Sequence, residues 1–533
     1  MSTLPVPDAD TLEDSGPITA EGLLRRRARQ KAEAITLIDP PNRQTLGHSA
    51  SRQLTYGEAD EAVDALAAFF AALGLQPGDR VVMQLPNFIE APLALLGAWR
   101  AGLTVAAIPM LWRSMEIARV CDALEPKALI GCSRFAEEAP AETLRDVAAS
   151  RLSVRFVLGF GDGLPDGVGS LDDAIGAGHA GDFTPRLPTG PSLITFTARA
   201  GHPLVPLFRY EDEILAQGAM TVLSLSLDRS DVILNAYPFT GTVGLGLGLA
   251  PWLIGGAKLV QHHPFEYGVF ADQLLDTGAT VTAMPSAILA ELGANRVLQD
   301  PRCQLRRVGR VWSPAELADP AAPLNHMAAE NLSRPVFDLY PLGDLASLLL
   351  RPAKVADRAA LPLGLVHLAK DLGGTVFAET KLADESGALL LRGPVVPQGR
   401  SNGPVARDEN GFVATGLRGQ AEGVARLRVS RDAELVHHGG FTIAASELDG
   451  LYQAFPGFLD AACFVLPDPV LGDRIFGAVS PSPNAPVSLE ALHRFLTERG
   501  VAPYKFPDKL LVVKEIPRDA KGTIIREEIL AQV

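Results

Sequence analysis

Apolar and polar positions along the chain alternate between two periods. Ala62, Leu66, Phe69, Phe70 and Leu73 recur at helical spacing, and Gly74 stands where a helix stops. "QPGD" then turns the chain into a short apolar strand, "RVVMQL". Pro86-Asn87 opens a second helix, "FIEAPLALLGAWRAG", followed by the strand "TVAAIPM", a helix from Ser114 to Leu124 and the strand "KALIGC". Short apolar strands alternating with amphipathic helices predict a parallel, doubly wound sheet.

A looser stretch, "GHAGDFTPRLPTGP" at 178–191, reads as a connector. Beyond it the alternation resumes with "DVILNAYPF", "AKLVQH", a helix from Phe270, "TVTAMPS" and a helix from Ala287. After about residue 350 short strands such as "GALLLRG" dominate, and "RLRVSRDAE" at 426–434 is charged without apolar periodicity, the mark of an interdomain hinge. The expected fold is α/β. A large N-terminal domain over 1–425 holds two doubly wound α/β subdomains (20–180 and 181–350) and a small β subdomain (351–425). The hinge at 426–434 leads to a small α+β C-terminal domain over 435–533.

Composition narrows the function. The 48 basic and 62 acidic residues leave a formal charge of -14, which disfavours nucleic acid and anionic membranes as partners. The dense basic patch, Arg25-Arg26-Arg27 with Arg29, reads as a solvated helix face. Four cysteines, Cys121, Cys132, Cys303 and Cys463, have no metal-ligand spacing and fit a reducing cytoplasm. "MSTLPVPDADTLEDSGP" lacks the basic start and apolar stretch of a secretion signal and reads as a flexible lead-in. The uncharged run Phe239 to Ala257 imitates a membrane span, but its glycines and Pro251 predict a buried, tightly packed helix with a flanking turn. His262-His263 and His437-His438 lack partners at metal-ligand spacing and read as surface or supporting residues.

One segment carries candidate chemistry. "TFTARAGHPLVPLFR", 195 to 209, reads as a strand entering a Gly/Pro loop, yet has no Ser, Thr or Lys between Ala198 and Leu207. Together with "LTYGEADEAVDALAAFF", "GALLLRGP", "HHGGFTIAASELD", "VLPDPVLGDRIFG" and "APYKFPDKL…IPRDAKG", in that order, the chain resembles the adenylate-forming superfamily of acyl-CoA synthetases, adenylation domains and luciferases from about residue 20 to its end.

That resemblance implies ATP and Mg²⁺ chemistry that turns a carboxylate into an acyl-adenylate and passes the acyl group to a thiol such as coenzyme A or a carrier protein. It also implies a mobile C-terminal domain. Residue by residue the match is uneven. Thr197, Gly201 and Pro203 keep places in the family's phosphate loop, but its lysine position is Leu204 and the other hydroxyls are gone. The ribose-binding aspartate position is Leu417, after Thr415-Gly416, and the C-terminal lysine position is Thr523, with Lys521 two residues earlier as a surrogate if the strand stays extended. Val311-Trp312 aligns with a glycine pair bordering the substrate slots, so Trp312 either fills that volume or is an ordinary buried tryptophan. Tyr340 keeps the adenine-stacking aromatic, Asp344 stands at the Mg²⁺-linked carboxylate, Arg431 at the hinge arginine, and Gly439-Gly440 at the pair that meets the coenzyme A arm.

The missing groups each held charged phosphate or ribose oxygens, at roughly 1.5 to 3 kcal/mol apiece. Their summed loss is about 5 kcal/mol, several thousandfold in ATP binding or reactivity. Thr523 in place of lysine removes a further factor of about 10² to 10³ in rate. Arg199, His202 and Arg209 are the substitute cations at hand. Three functions follow in descending order: an acyl or acyl-thioester binding protein with a degenerate ATP site, in the limit a pseudoenzyme; a working acyl-CoA ligase; and an ATP-independent acyl transferase. The expected ligand is a small acyl or aryl molecule with coenzyme A or a carrier protein, and a homodimer stays open as the assembly.

Overall fold

The helix centred on Ala62 spans Tyr56–Ala72 and begins on a capping box, Thr55 accepting from the Glu58 N–H while the Glu58 carboxylate accepts from that of Thr55. The helix anticipated at Ser114 runs Ser114–Leu124. The computed structural model describes residues 18–318, 335–352, 359–367, 374–383, 386–398, 405–423, 425–430, 432–468, 470–483 and 487–532. The acidic lead-in and Arg431 lie outside them.

Two large, mostly parallel sheets carry the N-terminal domain. One orders its strands Val168–Ser170, Phe156–Phe160, Ala128–Cys132, Arg80–Met83, Thr104–Ala107, Leu193–Arg199 and His202–Arg209. The other runs Ala346–Leu350, Val336–Leu342, Arg307–Val311, Val281–Pro285, Val232–Asn235, Lys258–Gln261, Ile35–Ile38 and Gln53–Thr55. The sheets do not follow the boundary expected at 180. Ile35–Ile38 pairs in parallel with Lys258–Gln261, and Leu193–Arg199 pairs with Thr104–Ala107. Periodicity along the chain identifies a strand but not its neighbour, so this exchange was invisible to it.

A third sheet of antiparallel strands includes Ala388–Arg392, Val413–Glu422 and Arg426–Ser430. This corrects the first half of the expected hinge. In "RLRVS" Leu427 and Val429 point inward while the arginines point out, an alternation of period two that the charges obscured. The C-terminal domain is α+β: strands Leu435–His438, Phe441–Ala444, Phe458–Asp468, Gly472–Pro481 and Leu510–Val512 carry helices Ala445–Gln453 and Leu489–Glu498.

The uncharged run folds as anticipated into a buried π-helical turn, Gly244–Leu249, and a helix, Ala250–Gly255. Among the described residues no helix is long and apolar enough to cross a membrane.

The basic patch is only in part a solvated face: Arg26 and Arg29 are exposed as expected, but the other two arginines turn inward. Arg25 is buried against Asp60 and Asp64, and Arg27 donates to the Ile254 carbonyl at 2.7 Å. Arg100, wholly buried, joins Glu21 (2.9 Å), Asp60 (2.5 Å) and Asp64 (2.8 Å). The acids at 60 and 64 sit one turn apart on the next helix, which places both carboxylates on the face that receives the arginines. Arg100→Met leaves buried Glu21 without its cation and Asp60 and Asp64 with Arg25 alone. It should lower the stability of the large domain by about 3 to 5 kcal/mol, read as a fall in the thermal unfolding midpoint.

Candidate active site

The segment 195–209 is not an open loop. Leu193–Arg199 and His202–Arg209 form an antiparallel hairpin joined by Ala200-Gly201, with Arg199 opposite His202. The strands continue to the turn. Thr197 points into the protein, and its hydroxyl donates to Asp344 Oδ2 at 2.8 Å.

Arg199 lies beneath this pair. Its Nη1 donates to Thr197 Oγ1 at 2.9 Å and to the Ala198 carbonyl at 2.8 Å, and its Nη2 to the Gly343 carbonyl at 2.9 Å. The guanidinium is buried, and burial lowers its pKa to about 10. Gly416 makes this possible. A Cβ there would stand 2.8 Å from Arg199 Cδ, so the missing side chain is the space the arginine occupies.

Arg209 is equally internal. It donates to Thr195 Oγ1 at 2.9 Å and to the carbonyls of Leu345 (3.0 Å) and Asp344. Two of the three substitute cations therefore brace the loop from inside, while His202 is exposed at the turn.

Glu213, in the first turn of the helix Glu211–Leu225, is buried near Arg209 and accepts from the Gln398 N–H. Burial raises its pKa from 4.5 to about 7, the nearby Arg209 opposing this in part. The folded state thus holds this proton more tightly than the unfolded chain. Its contribution to stability is full below about pH 4.5 and is lost as the pH rises through about 7. Glu213→Gln should flatten a decline on the order of 3 kcal/mol between pH 5 and 8, measured by denaturation across that range.

The C-terminal domain completes the cluster. Its hairpin Leu435–Ala444 lies against Leu193–Arg199, and Thr442 Oγ1 donates to Asp344 Oδ2 at 3.4 Å. His437 Nδ1 is 3.4 Å from the same hydroxyl. Asp344 thus joins two domains, with Thr197 on one side and Thr442 on the other. Gly439 and Gly440 form the turn of the hairpin, and the Gly439 N–H donates to the Leu471 carbonyl at 2.9 Å.

The other sequence-derived positions scatter. Tyr340 is wholly buried in its strand, and its hydroxyl donates to the Ala359 carbonyl at 2.5 Å. Leu417 is buried in the main core, and Leu204 packs with Phe196 and Phe208 beside Trp112 and Tyr504. Trp312 is buried too, its indole N–H donating to Asp338 Oδ1 at 2.8 Å while Arg310 pairs with the same carboxylate at 2.7 Å.

Lys521 is exposed, and the extended strand assumed for it is replaced by a turn in which the Gly522 N–H donates to the Asp519 carbonyl at 3.0 Å. Glycine's freedom ends the strand there, so Lys521 and Thr523 do not share a strand face. Of the paired histidines, His262 is buried in a supporting place, while His263, His437 and His438 are half-buried. His262 bonds Gln273 at 2.9 Å, and His263 stacks on Phe135 with ring centroids 5.0 Å apart. Among the described residues no three His, Cys, Asp or Glu side chains gather to hold a metal alone. A lone carboxylate such as Asp344 fits Mg²⁺ held chiefly by substrate phosphates.

Sequence reasoning missed Thr442 and the inward turn of Arg199. The first had a signal in a β-branched hydroxyl two residues beyond Gly440. The second had none, because only packing decides which way an arginine points.

Comparison with known proteins supplies the remaining findings. Residues 24–181 match the model of the AMP-binding enzyme family. A probable CoA ligase of Humulus lupulus is 27% identical over 545 residues, spanning 97% of each chain. A salicylyl-CoA synthase / salicylate adenylyltransferase of a Streptomyces species is 26% identical, covering 90% of this chain and 88% of that one. The solved o-succinylbenzoate CoA synthetase of Bacillus subtilis, 18% identical, superposes with a TM-score of 0.75 over 95% of this chain and 97% of its own, a likeness of fold. None of these likenesses speaks for loss of the ATP-dependent step.

Proposed function

We propose, from the premise that this chain belongs to the AMP-binding, adenylate-forming enzymes, that it is an acyl-CoA synthetase-like protein for a small acyl or aryl carboxylate and its thioester, with weak ATP-driven adenylation. The observation that carries this reading is the inward Arg199. Its donors bond Thr197 and the carbonyls of Ala198 and Gly343, so the cation nearest the loop turn faces away from any phosphate laid on the hairpin. Leu204 and Leu417 sit in apolar clusters and offer phosphate and ribose no hydrogen bond.

The thioester side is better furnished. The Leu435–Ala444 hairpin reaches Asp344 through Thr442, next to the Gly439-Gly440 turn. In that half-reaction a thiol sulfur attacks the acyl carbon and a C–S bond forms. The C–O bond to phosphate breaks, AMP leaves with the electron pair, and the thiol proton passes to solvent.

Calorimetry with benzoyl-CoA and with Mg-ATP, beside carboxylate-dependent exchange of pyrophosphate into ATP, tests the reading. The expected outcome is thioester binding, with exchange several thousandfold below that of an ordinary ligase. Micromolar Mg-ATP binding with no thioester binding overturns it. Leu204→Lys alone should leave exchange at background, because Leu417 and Thr523 remain and Arg199 still braces the hairpin; a return of exchange in that single variant contradicts a jointly altered ATP site.

A second reading, a working acyl-CoA ligase, draws support from relatives named as ligases that align along nearly the whole chain. Robust exchange with any acid of a broad panel decides for it.

A further inference from the structure

The helix Ser114–Leu124 of the large domain meets the C-terminal domain through charges removed from water. Glu116 divides its carboxylate. Oε2 accepts from the Arg113 N–H at 3.2 Å at the start of its own helix, while Oε1 crosses the boundary to accept from Lys505 Nζ at 2.9 Å and from the Ala502 N–H at 3.2 Å. Lys505 Nζ also reaches Glu447 Oε1 at 3.0 Å, and Arg119 of the large domain pairs with the same Glu447. Lys505, Glu116 and Glu447 have side chains only 5%, 3% and 4% exposed.

Two carboxylates and two cations make the cluster neutral, so it persists out of water only while its members stay together. Neutral contacts flank it. Trp112 Nε1 donates to the Tyr504 hydroxyl at 3.0 Å, and the Met115 N–H donates to the Gly500 carbonyl at 3.0 Å. Tyr504, beside Lys505, stacks on Phe441 with centroids 4.1 Å apart. Phe441 opens the strand that carries Thr442. A continuous path of contacts therefore leads from the ion cluster through Tyr504 and Phe441 to the hydroxyl on Asp344.

We infer that Lys505, bridging Glu116 and Glu447, is a positioning residue that holds the Leu435–Ala444 hairpin against Asp344 and so keeps the two-domain site assembled. Its consequence for acyl transfer rests on the function proposed above; the positioning itself does not. Ordinary domain packing would tolerate loss of one contact among several. A buried cation between two acids does not, because removing it leaves like charges facing each other in a medium that screens them poorly.

The test uses the full chain with Glu116→Gln and, separately, Lys505→Met. Glu116→Gln leaves the Lys505–Glu447 pair intact within the C-terminal domain, so it does not act by unfolding that domain. Hydrogen–deuterium exchange is read at 435–444 and 193–199, with the domain cores, for example 458–468, as internal controls. Both variants should raise exchange in the two contact segments about tenfold or more while the cores stay unchanged. Transfer from supplied benzoyl-adenylate to coenzyme A should fall about tenfold in rate with the KM for the adenylate unchanged. Unchanged exchange at 435–444 in Glu116→Gln overturns the positioning role. Raised exchange in a protein whose unaltered form transfers no acyl group supports the positioning and overturns the proposed function instead.

Discussion

Gly343→Ala should dismantle the junction between the sheets and lower the stability of the large domain by about 4 kcal/mol or more, seen as a collapse of the thermal unfolding midpoint or of soluble yield. A Cβ at 343 would stand 1.6 Å from the Thr415 carbonyl oxygen, and the residue holds φ at +57°. Backbone has nowhere to go. The Thr415 hydroxyl donates to the Leu389 carbonyl at 2.8 Å and accepts from the Leu417 N–H at 3.1 Å, which ties the obstructing strand on both sides. The same glycine supplies the carbonyl that Arg199 bonds, so its displacement also unseats the arginine. Gly201→Ala is the control. Its φ is +69° but nothing lies within 4 Å of the new methyl, so only backbone strain of about 1 kcal/mol is expected.

Arg199→Ala should cost about 3 kcal/mol of stability, measured by chemical denaturation. Thr197 Oγ1 and the carbonyls of Ala198 and Gly343 lose their donor together, and a cavity opens beneath Gly416. Arg199→Lys separates charge from geometry. An ammonium keeps the positive charge near Asp344 but lacks the planar fork that reaches three acceptors, so about half the loss should remain. Full stability in Arg199→Ala would mean the arginine is not the brace described. Gain of Mg-ATP binding in that variant would show that the inward guanidinium is what weakens the phosphate site.

Most of the element order was legible from periodicity, because short buried strands and amphipathic helices write distinct periods into the chain. The helix Ser114–Leu124 and the strand Ala128–Cys132 are direct cases. Legibility failed where a residue's local chemistry and its burial disagree. Arg426 and Arg428 made a strand look like a hinge, and Arg25 looked solvated although its partners Asp60 and Asp64 wait on another helix. The candidate site was half legible. Thr197 and Asp344 do meet, and the hairpin that turns at Gly439-Gly440 reaches Asp344 through Thr442, whereas Lys521 stands exposed in a tight turn and Tyr340 is sealed in its strand.

By itself the sequence determined the kind of fold, the two-part division of the chain and which polar groups stand at each motif position, since these depend on period, turn chemistry and residue identity. It could not determine where those groups point. That Arg199 turns inward, that Ile35–Ile38 crosses to the far sheet, and that Glu116 meets Lys505 across the domain boundary are decisions of packing. Each depends on space left by a distant residue, such as Gly416, or on a charge brought close from far along the chain, and a single linear pattern carries no record of either.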